Sequence, residues 1–228
     1  MRKGSAEGTS ASQGAVLAEK IRDAILTQRF RPGDRLNETS LAREFGASRI
    51  PIREALMRLE EQGLAVSQPR RGMFVNSLSA QETRQVNSVR LVLEAEALKL
   101  CQQQCTAEMV AHLSAMLAPM EAWQGGSQWE AAELDLEFHR AMWRFSGNEC
   151  LEKTLNTLCT VLFAHRALDA IGDDRMRWML SHHRSLLEVV EGRSEMTPEE
   201  AIVGHVQIGY DAPEEFSSFA IKKPIAVE

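Results

Sequence analysis

Along most of the chain apolar residues recur every three to four positions, the spacing of one face of an α-helix, and the rhythm changes only around residues 64–75. Val16, Leu17, Ile21, Ile25 and Leu26 fall on one side of Ala15–Gln28, which predicts a first amphipathic helix. Phe30–Asp34 reads as a turn, after which Leu36 is placed to pack back beneath the next helix. Thr39–Phe45 predicts a short helix ended by Gly46. Ser48 suits the cap of a further helix that runs to about Gln62 and closes at Gly63. Pro51 lies in that helix's first turn, where its missing N–H costs no hydrogen bond. Ile52, Leu56 and Leu59 share the core face, whereas Arg49, Arg53 and Met57, at i, i+4 and i+8, share another. Leu64–Val66 and Met73–Val75 then flank Gln68–Pro69–Arg70–Arg71–Gly72, a β-hairpin signature with a basic turn.

From Ser79 onward the pattern predicts helices and no strand. Ser79–Glu82 is a capping box that opens a long helix, so a boundary falls near 76–79 without a long linker. Thr106–Glu108 opens a second helix carrying Met109, Val110, Leu113, Leu117 and Met120, and Gly125–Gly126 ends it. Ser127–Glu130 starts a third that ends near Gly147, and Asn148 caps a fourth with Leu151, Leu155, Leu158 and Leu162 inside. A fifth runs from Gly172–Asp173 to about Gly192, and Thr197–Pro198–Glu199–Glu200 opens a sixth. Gly204, Gly209 and Asp211–Ala212–Pro213 are expected to stop this last helix early, and residues 214–228 carry no helical stripe. The expected fold is mainly α: a flexible tail at 1–14, a winged helix–turn–helix with a small β-hairpin wing at 15–78, an all-α bundle at 79–208 and an atypical tail at 209–228.

A helix–turn–helix presents the first residues of its second helix to major-groove base edges, where arginine pairs bidentately with guanine. Arg49 and Arg53 are therefore candidates for reading double-stranded DNA, with Arg70 and Arg71 at a wing tip beside phosphates or in a minor groove. A structural hairpin with a solvated basic tip is the alternative for the wing by itself, and the helix pair before it favours DNA. The formal net charge of −6 fits this once the chain is divided. Residues 1–78 carry 13 Lys and Arg against 9 Asp and Glu, a net of +4, leaving 13 against 23, a net of −10, for the rest. A basic N-terminal domain followed by an acidic one fits DNA binding at one end.

Apolar content of 44% is that of a globular chain, and no apolar run approaches the ~18 residues that span a bilayer, so no membrane partner is expected. The opening residues lack the apolar segment of a secretory signal. Cys101, Cys105, Cys150 and Cys159 form no CxxC pair, which points to reduced thiols and a cytoplasmic protein. Cys101 and Cys105 share a helix face, where a buried apolar role is the simplest reading.

Candidate chemistry in the second half centres on Asp135 and His139, four apart on one helix, which can share a divalent cation. His183 falls on the inner stripe Met176, Met179, Leu180, Leu186, Leu187 and Val190; His182 is rotated away from it, and His205 lies on the last helix. Convergence of all four would make a site of one Asp and three His. Zinc, nickel, iron or manganese would suit it. The plain alternative is an Asp–His packing pair with unrelated histidines. Arg90 lies within the stripe Val86, Leu93, Ala97, so an inward guanidinium near a cation would suit a carboxylate-bearing effector; a snorkelling arginine, or a pair with Glu94, is the alternative. His112 and His165 read as structural.

The run ASRIPIREALMRLEEQGL followed by QPRRGMFV resembles the DNA-binding domain of the GntR family of bacterial transcription regulators, over roughly Val16–Val75. The resemblance implies that Thr39, Arg49, Arg53, Arg71 and Gly72 occupy operator-contacting positions, with Thr39 standing where some relatives carry arginine. VRLVLEAEAL, DLEFHRAMWRFSGN and HHRSLLEVVEGR resemble the FCD-type ligand-binding domain of the FadR branch, whereas the C-terminal end departs from that pattern. Metal-binding domains of this type place an Asp, a His four later and two further His in corresponding helices, which implies a ligand set of Asp135, His139, His183 and His205. The expected function is a homodimeric regulator that binds operator DNA and responds to a small carboxylate or sugar acid at a metal-containing bundle. A regulator for which the cation is itself the signal remains open, as does a metal-dependent hydrolase, although the chain has no HExxH, nucleophile elbow or Gly-rich phosphate loop.

Overall fold

The computed structural model describes residues 12–168 and 172–208. The chain divides into two compact units between Ser77 and Leu78.

The first unit contains α1 (Gln13–Leu26), α2 (Glu38–Glu44), α3 (Arg49–Glu61) and an antiparallel hairpin of β1 (Ala65–Gln68) and β2 (Gly72–Val75). Ser12 caps α1, accepting from the Ala15 N–H, so the helix begins two residues before the expected start and takes in the end of the expected tail. Residues 1–11 of that tail lie outside the described residues. The inner face of α1 carries Leu17, Ala18, Ile21, Ala24 and Ile25, whereas Val16 is 45% exposed and does not belong to the core stripe. Gly14 lets α1 approach α3 closely: a Cβ there would meet the Cβ of Glu54 at 2.9 Å. Asn37 caps α2 through the N–H groups of Thr39 and Ser40. Ser48 stands at the N-cap position of α3, but its side chain makes no capping bond. Ile52, Leu56 and Leu59 are buried on α3, together with Leu36 and Leu64; each such side chain contributes about 1.5–3 kcal/mol by leaving water. The hairpin pairs Ala65 with Val75 and Gln68 with Gly72. Asp34–Leu36, which leads from the expected turn to the inward Leu36, also runs along β2, with Val75 N–H donating to Asp34 O and Leu36 N–H to Met73 O.

The second unit contains α4 (Ala80–Gln103), α5 (Ala107–Ala122), α6 (Gln128–Phe145), α7 (Glu149–Leu168), α8 (Asp173–Ser181), α9 (His183–Val190) and α10 (Pro198–Ile208), with no strand among the described residues. Helix α4 opens on the complete capping box Ser79–Glu82 and packs against α6, α7, α9 and α10. Its buried face carries Leu91, Ala95, Ala97, Leu98 and Cys101, and also Arg90 and Glu94. Arg140 ties α6 to α7 by donating to Asn156 Oδ1 and Thr160 Oγ1. The core between them holds Phe138, Trp143 and Phe163.

The expected fifth helix is two helices, interrupted at His182. Ser181 Oγ donates to the Trp178 carbonyl at 2.7 Å, and His182 Nδ1 sits 2.6 Å from the same oxygen. That oxygen is the α-helical acceptor for the His182 N–H, which turns instead to Met179 O at 3.2 Å. The last helix opens on the Thr197–Glu200 capping box and passes through Gly204 to Ile208, so Gly204 does not stop it. Gly209, Asp211–Pro213 and the expected tail 209–228 lie outside the described residues.

Candidate functional site

In the first unit Arg49 and Arg53 project from the first turns of α3 with side chains 62% and 61% exposed. Both reach Glu38, the first residue of α2. Arg53 donates through Nε (2.9 Å) and Nη2 (3.0 Å), and Arg49 through Nη2 (3.1 Å). The Arg53 bonds, and after them Arg49, outweigh partial burial and hold the Glu38 carboxyl down at about 2. A groove of about 370 Å³ opens here, lined by Arg35, Glu38, Thr39, Arg49, Arg53 and Gly72 among others. Thr39 and Met57 are exposed beside it. At the hairpin tip Arg70 adopts φ +62°, and the Arg71 guanidinium lies 5.2 Å from the Phe74 ring centroid. Gly72 has φ +98°, a conformation that favours glycine. The groove thus gathers the α3 arginines, Thr39 and Gly72, while Arg70 and Arg71 stand on the adjoining turn. Glu38 was the residue that the sequence pattern did not single out. Its signal was its place as the first residue after a capping Asn37.

In the second unit Asp135 and His139 leave α6 one turn apart, His183 begins α9 and His205 lies on α10. One donor atom from each of the four lies within 4.8 Å of the others. His183 Nε2 is 2.8 Å from Asp135 Oδ1, His139 Nε2 is 3.4 Å from the same oxygen, and His139 Nε2 is 3.1 Å from His205 Nε2. Donors sharing one cation at about 2.1 Å stand about 3.0–3.4 Å apart; both His139 spans fall in that range, and the His183–Asp135 pair would open by a few tenths of an ångström around an ion.

The outer ring nitrogens decide what the inner ones present. His183 Nδ1 lies 3.1 Å from the Leu180 carbonyl oxygen, which can only accept, so Nδ1 carries the ring proton and donates it, a contact beside the break at His182. His139 Nδ1 stands 2.8 Å from Glu94 Oε1. Both arrangements leave an Nε2 lone pair pointing into the cluster. His139 Nδ1, although beside the Glu94 carboxylate, makes no well-aligned hydrogen bond, and His205 is fixed less firmly still: its Nδ1 is buried with neither a hydrogen bond nor a carboxylate beside it among the described residues. With His139 Nε2 presenting a lone pair to His205 and His183 Nε2 presenting one to a carboxylate, a cation is the natural complement.

Glu94 is fully buried on α4. It accepts from Arg90 Nε at 2.8 Å and from Trp143 Nε1 at 2.9 Å, besides facing His139. Burial alone would raise its pKa, but Arg90, His139 and Trp143 win and hold it at about 2. Asp135 is likewise held well below the carboxylate range: burial works against this, and His183, His139 and Arg166 overcome it. Burial lowers His183 despite Asp135, and lowers His205 further with the help of the neighbouring His183 and His139. His139 goes the other way, because Glu94 and Asp135 outweigh its burial.

Arg90 does point inward. Its Nε is paired with Glu94, its Nη2 lies 3.4 Å from His139 Nε2, and its guanidinium sits 4.8 Å from the Phe163 centroid. Sequence reasoning placed Glu94 only as a partner for Arg90 and missed its contact with His139. It missed Arg166 altogether, although that residue stands four after Leu162 on the inner stripe of α7. Arg166 Nη1 is 3.5 Å from Asp135 Oδ2. His182 stays outside the cluster, packed edge-on against Trp178, and His112 packs edge-on against Phe145. Cys101, Cys105, Cys150 and Cys159 are free thiols.

Residues 14–75 match the family described as bacterial regulatory proteins, gntR family, and residues 85–207 match the FCD domain. The chain is 31% identical over 188 residues to the HTH-type transcriptional regulator YdhC of Bacillus subtilis (strain 168), covering 82% of this chain and 84% of that one. It is also 31% identical to the Nta operon transcriptional regulator of Aminobacter aminovorans, over 80% of this chain and 85% of that one. Among solved structures, E. coli McbR/YncC shares the fold at a TM-score of 0.63 and 21% identity, over 87% of this chain and 95% of that one.

Proposed function

The chain belongs to the GntR family of bacterial regulatory proteins and carries an FCD domain, and from that premise we propose a DNA-binding regulator whose operator affinity is set by a small organic acid held at a metal centre. Arg49 and Arg53 read base edges, while Thr39, Arg70, Arg71 and Gly72 contact the adjoining backbone. Two copies of the chain bind one operator, since a single recognition helix covers only a few base pairs. Asp135, His139, His183 and His205 hold a divalent cation, for which zinc, nickel, iron and manganese all accept such donors. The cation supplies a Lewis-acidic point for an effector carboxylate, and Arg90, on the rim of the cluster, offers that carboxylate a guanidinium. The acid acts on DNA binding by favouring one conformational population over another.

The observation that carries the metal reading is the convergence of three imidazole Nε2 atoms and one carboxylate in a buried site, with one outer nitrogen hydrogen-bonded to Leu180 O and another beside the Glu94 carboxylate. Elemental analysis of protein purified without chelator tests it. One divalent ion per chain is expected, with occupancy lost in His183→Ala. No bound metal after reloading, or unchanged occupancy in the variant, rules the centre out.

A further inference from the structure

The groove that gathers Arg49 and Arg53 also holds a carboxylate, Glu38, which by charge alone works against a polyanion. Its bonds to the two arginines are not equivalent. Arg53 commits one whole side of its guanidinium to Glu38, Nε donating to Oε1 at 2.9 Å and Nη2 to Oε2 at 3.0 Å. The outer edge, with one N–H on each of Nη1 and Nη2, has no partner among the described residues and lies on a largely exposed side chain. Arg49 touches the same carboxylate only through Nη2, at 3.1 Å. Glu38 is placed by its backbone, as the first residue of α2 after the Asn37 cap, and its side chain is only 26% exposed. The two arginines, Arg53 first, hold its pKa at about 2, so it is an anion at any pH at which a duplex is stable.

A guanine and a phosphate meet this arrangement differently. Guanine offers two neutral acceptors, O6 and N7, which fit the outer edge of an arginine while the carboxylate stays on the inner side. A phosphate brings a negative charge. Against Arg53 it must either displace Glu38, leaving that carboxylate unpaired, or lie beside it as a second anion. We propose that Glu38 is a specificity-determining residue of this surface: it aims the outer edge of Arg53 at guanine and repels phosphate from both arginines. This rests on the reading that Arg49 and Arg53 contact base edges, and it adds the residue that keeps them off the backbone.

The test uses the full chain and two duplexes of equal length, one enriched by the native chain from a randomised pool and one of random sequence. Affinity for each is measured over a series of salt concentrations, and melting temperature is recorded for every variant. Glu38→Gln keeps the size and an acceptor oxygen but removes the charge. It should bind the random duplex about fivefold or more tighter, with a salt slope steeper by about one phosphate contact, while affinity for the enriched duplex changes less. Glu38→Asp, which keeps the charge, should retain most of the native preference. Glu44→Gln removes a charge from the same helix at a residue paired with Arg29, and should shift both duplexes alike. Equal gains on both duplexes in Glu38→Gln, or an unchanged preference, overturns the proposal. The underlying reading is checked by placing 7-deazaguanine, which lacks N7, in the enriched duplex. If the native chain enriches no sequence, or is indifferent to the analogue, that reading fails and the proposal with it. A preference that the analogue abolishes but Glu38→Gln leaves unmoved keeps the reading and rejects only the role of Glu38.

Discussion

A histidine inside a helical bundle is defined by both ring nitrogens, and here the outer one carries much of the information. The i, i+4 spacing of Asp135 and His139 and the stripe position of His183 are visible in the sequence because they follow from helical geometry. The second partners are not, because Glu94 and Leu180 O reach their histidines through tertiary packing and a local break. The same environment gives the unit a pH dependence. His183 and His205 are held below the ordinary value of 6.5, so on unfolding they take up protons that the folded chain refuses. Their contribution is whole above 6.5 and is lost as pH falls through the folded values. Asp135 and Glu94, also lowered, extend the loss further into acid. His139, raised, works in the opposite sense, its contribution present below 6.5 and lost as pH rises, but above pH 5 it stands against two groups, one of them, His205, held well below the ordinary value. Chelator-treated protein should therefore melt at progressively lower temperature between about pH 7.5 and about pH 5. A melting temperature that climbs over that interval would contradict the assignment.

At the scale of the element, what the pattern predicted well were helices with a clear stripe and a side-chain cap, such as α4 after Ser79 and α10 after Thr197. It failed where the decisive interactions were polar and local. The stripe of Met176–Val190 is continuous, yet Ser181 and His182 compete for one carbonyl and divide it into α8 and α9. Glycine was also overweighted: Gly204 lies inside α10 because the helix's packing on α4 and α9 outweighs its propensity cost of about 1 kcal/mol. In the recognition helix, Arg49 and Arg53 are held side by side on Glu38 in exposed pairs that a phosphate or guanine can replace. Arg53→Ala should weaken operator binding by about tenfold or more while changing affinity for random duplex much less. Titration of a palindromic operator should also reach saturation at two chains per duplex. Equal losses on both DNAs would reduce Arg53 to a phosphate contact, and saturation at one chain would remove the dimer.

For the whole molecule, the division into two units could be read from the change of rhythm at the hairpin and from charge, +4 before residue 79 against −10 after it. Net charge over the full chain hides this, because an acidic ligand-binding unit outweighs a basic DNA-binding one. The two units also differ in what the sequence reveals about their sites. The arginines proposed to face DNA lie on one short helix, so spacing alone brings them together. The second site draws Arg90 and Glu94 from α4, Asp135 and His139 from α6, Arg166 from α7, His183 from α9 and His205 from α10. Assembling five helices is a tertiary event, and only the residues with a distinctive spacing announced themselves in advance.

If the cluster holds the proposed ion, its burial sets a clock as well as an affinity. Asp135, His139 and His183 are 3%, 0% and 0% exposed, and the cavity beside them admits little more than a water. The proposed fourth donor, His205, rides on α10, the last described helix, so an ion held as proposed would leave through a transient lifting of that helix. Residence time would then be governed by how often α10 opens and not by how hungry the surroundings are for metal. Release into excess chelator should proceed at a rate independent of chelator concentration and equal to the opening rate of the α10 amides measured by hydrogen exchange. Release that accelerates in proportion to chelator would mean that the ion is attacked directly in the closed protein. A slow-release ion of this kind would persist through many rounds of acid binding and loss, leaving the acid as the faster-changing signal.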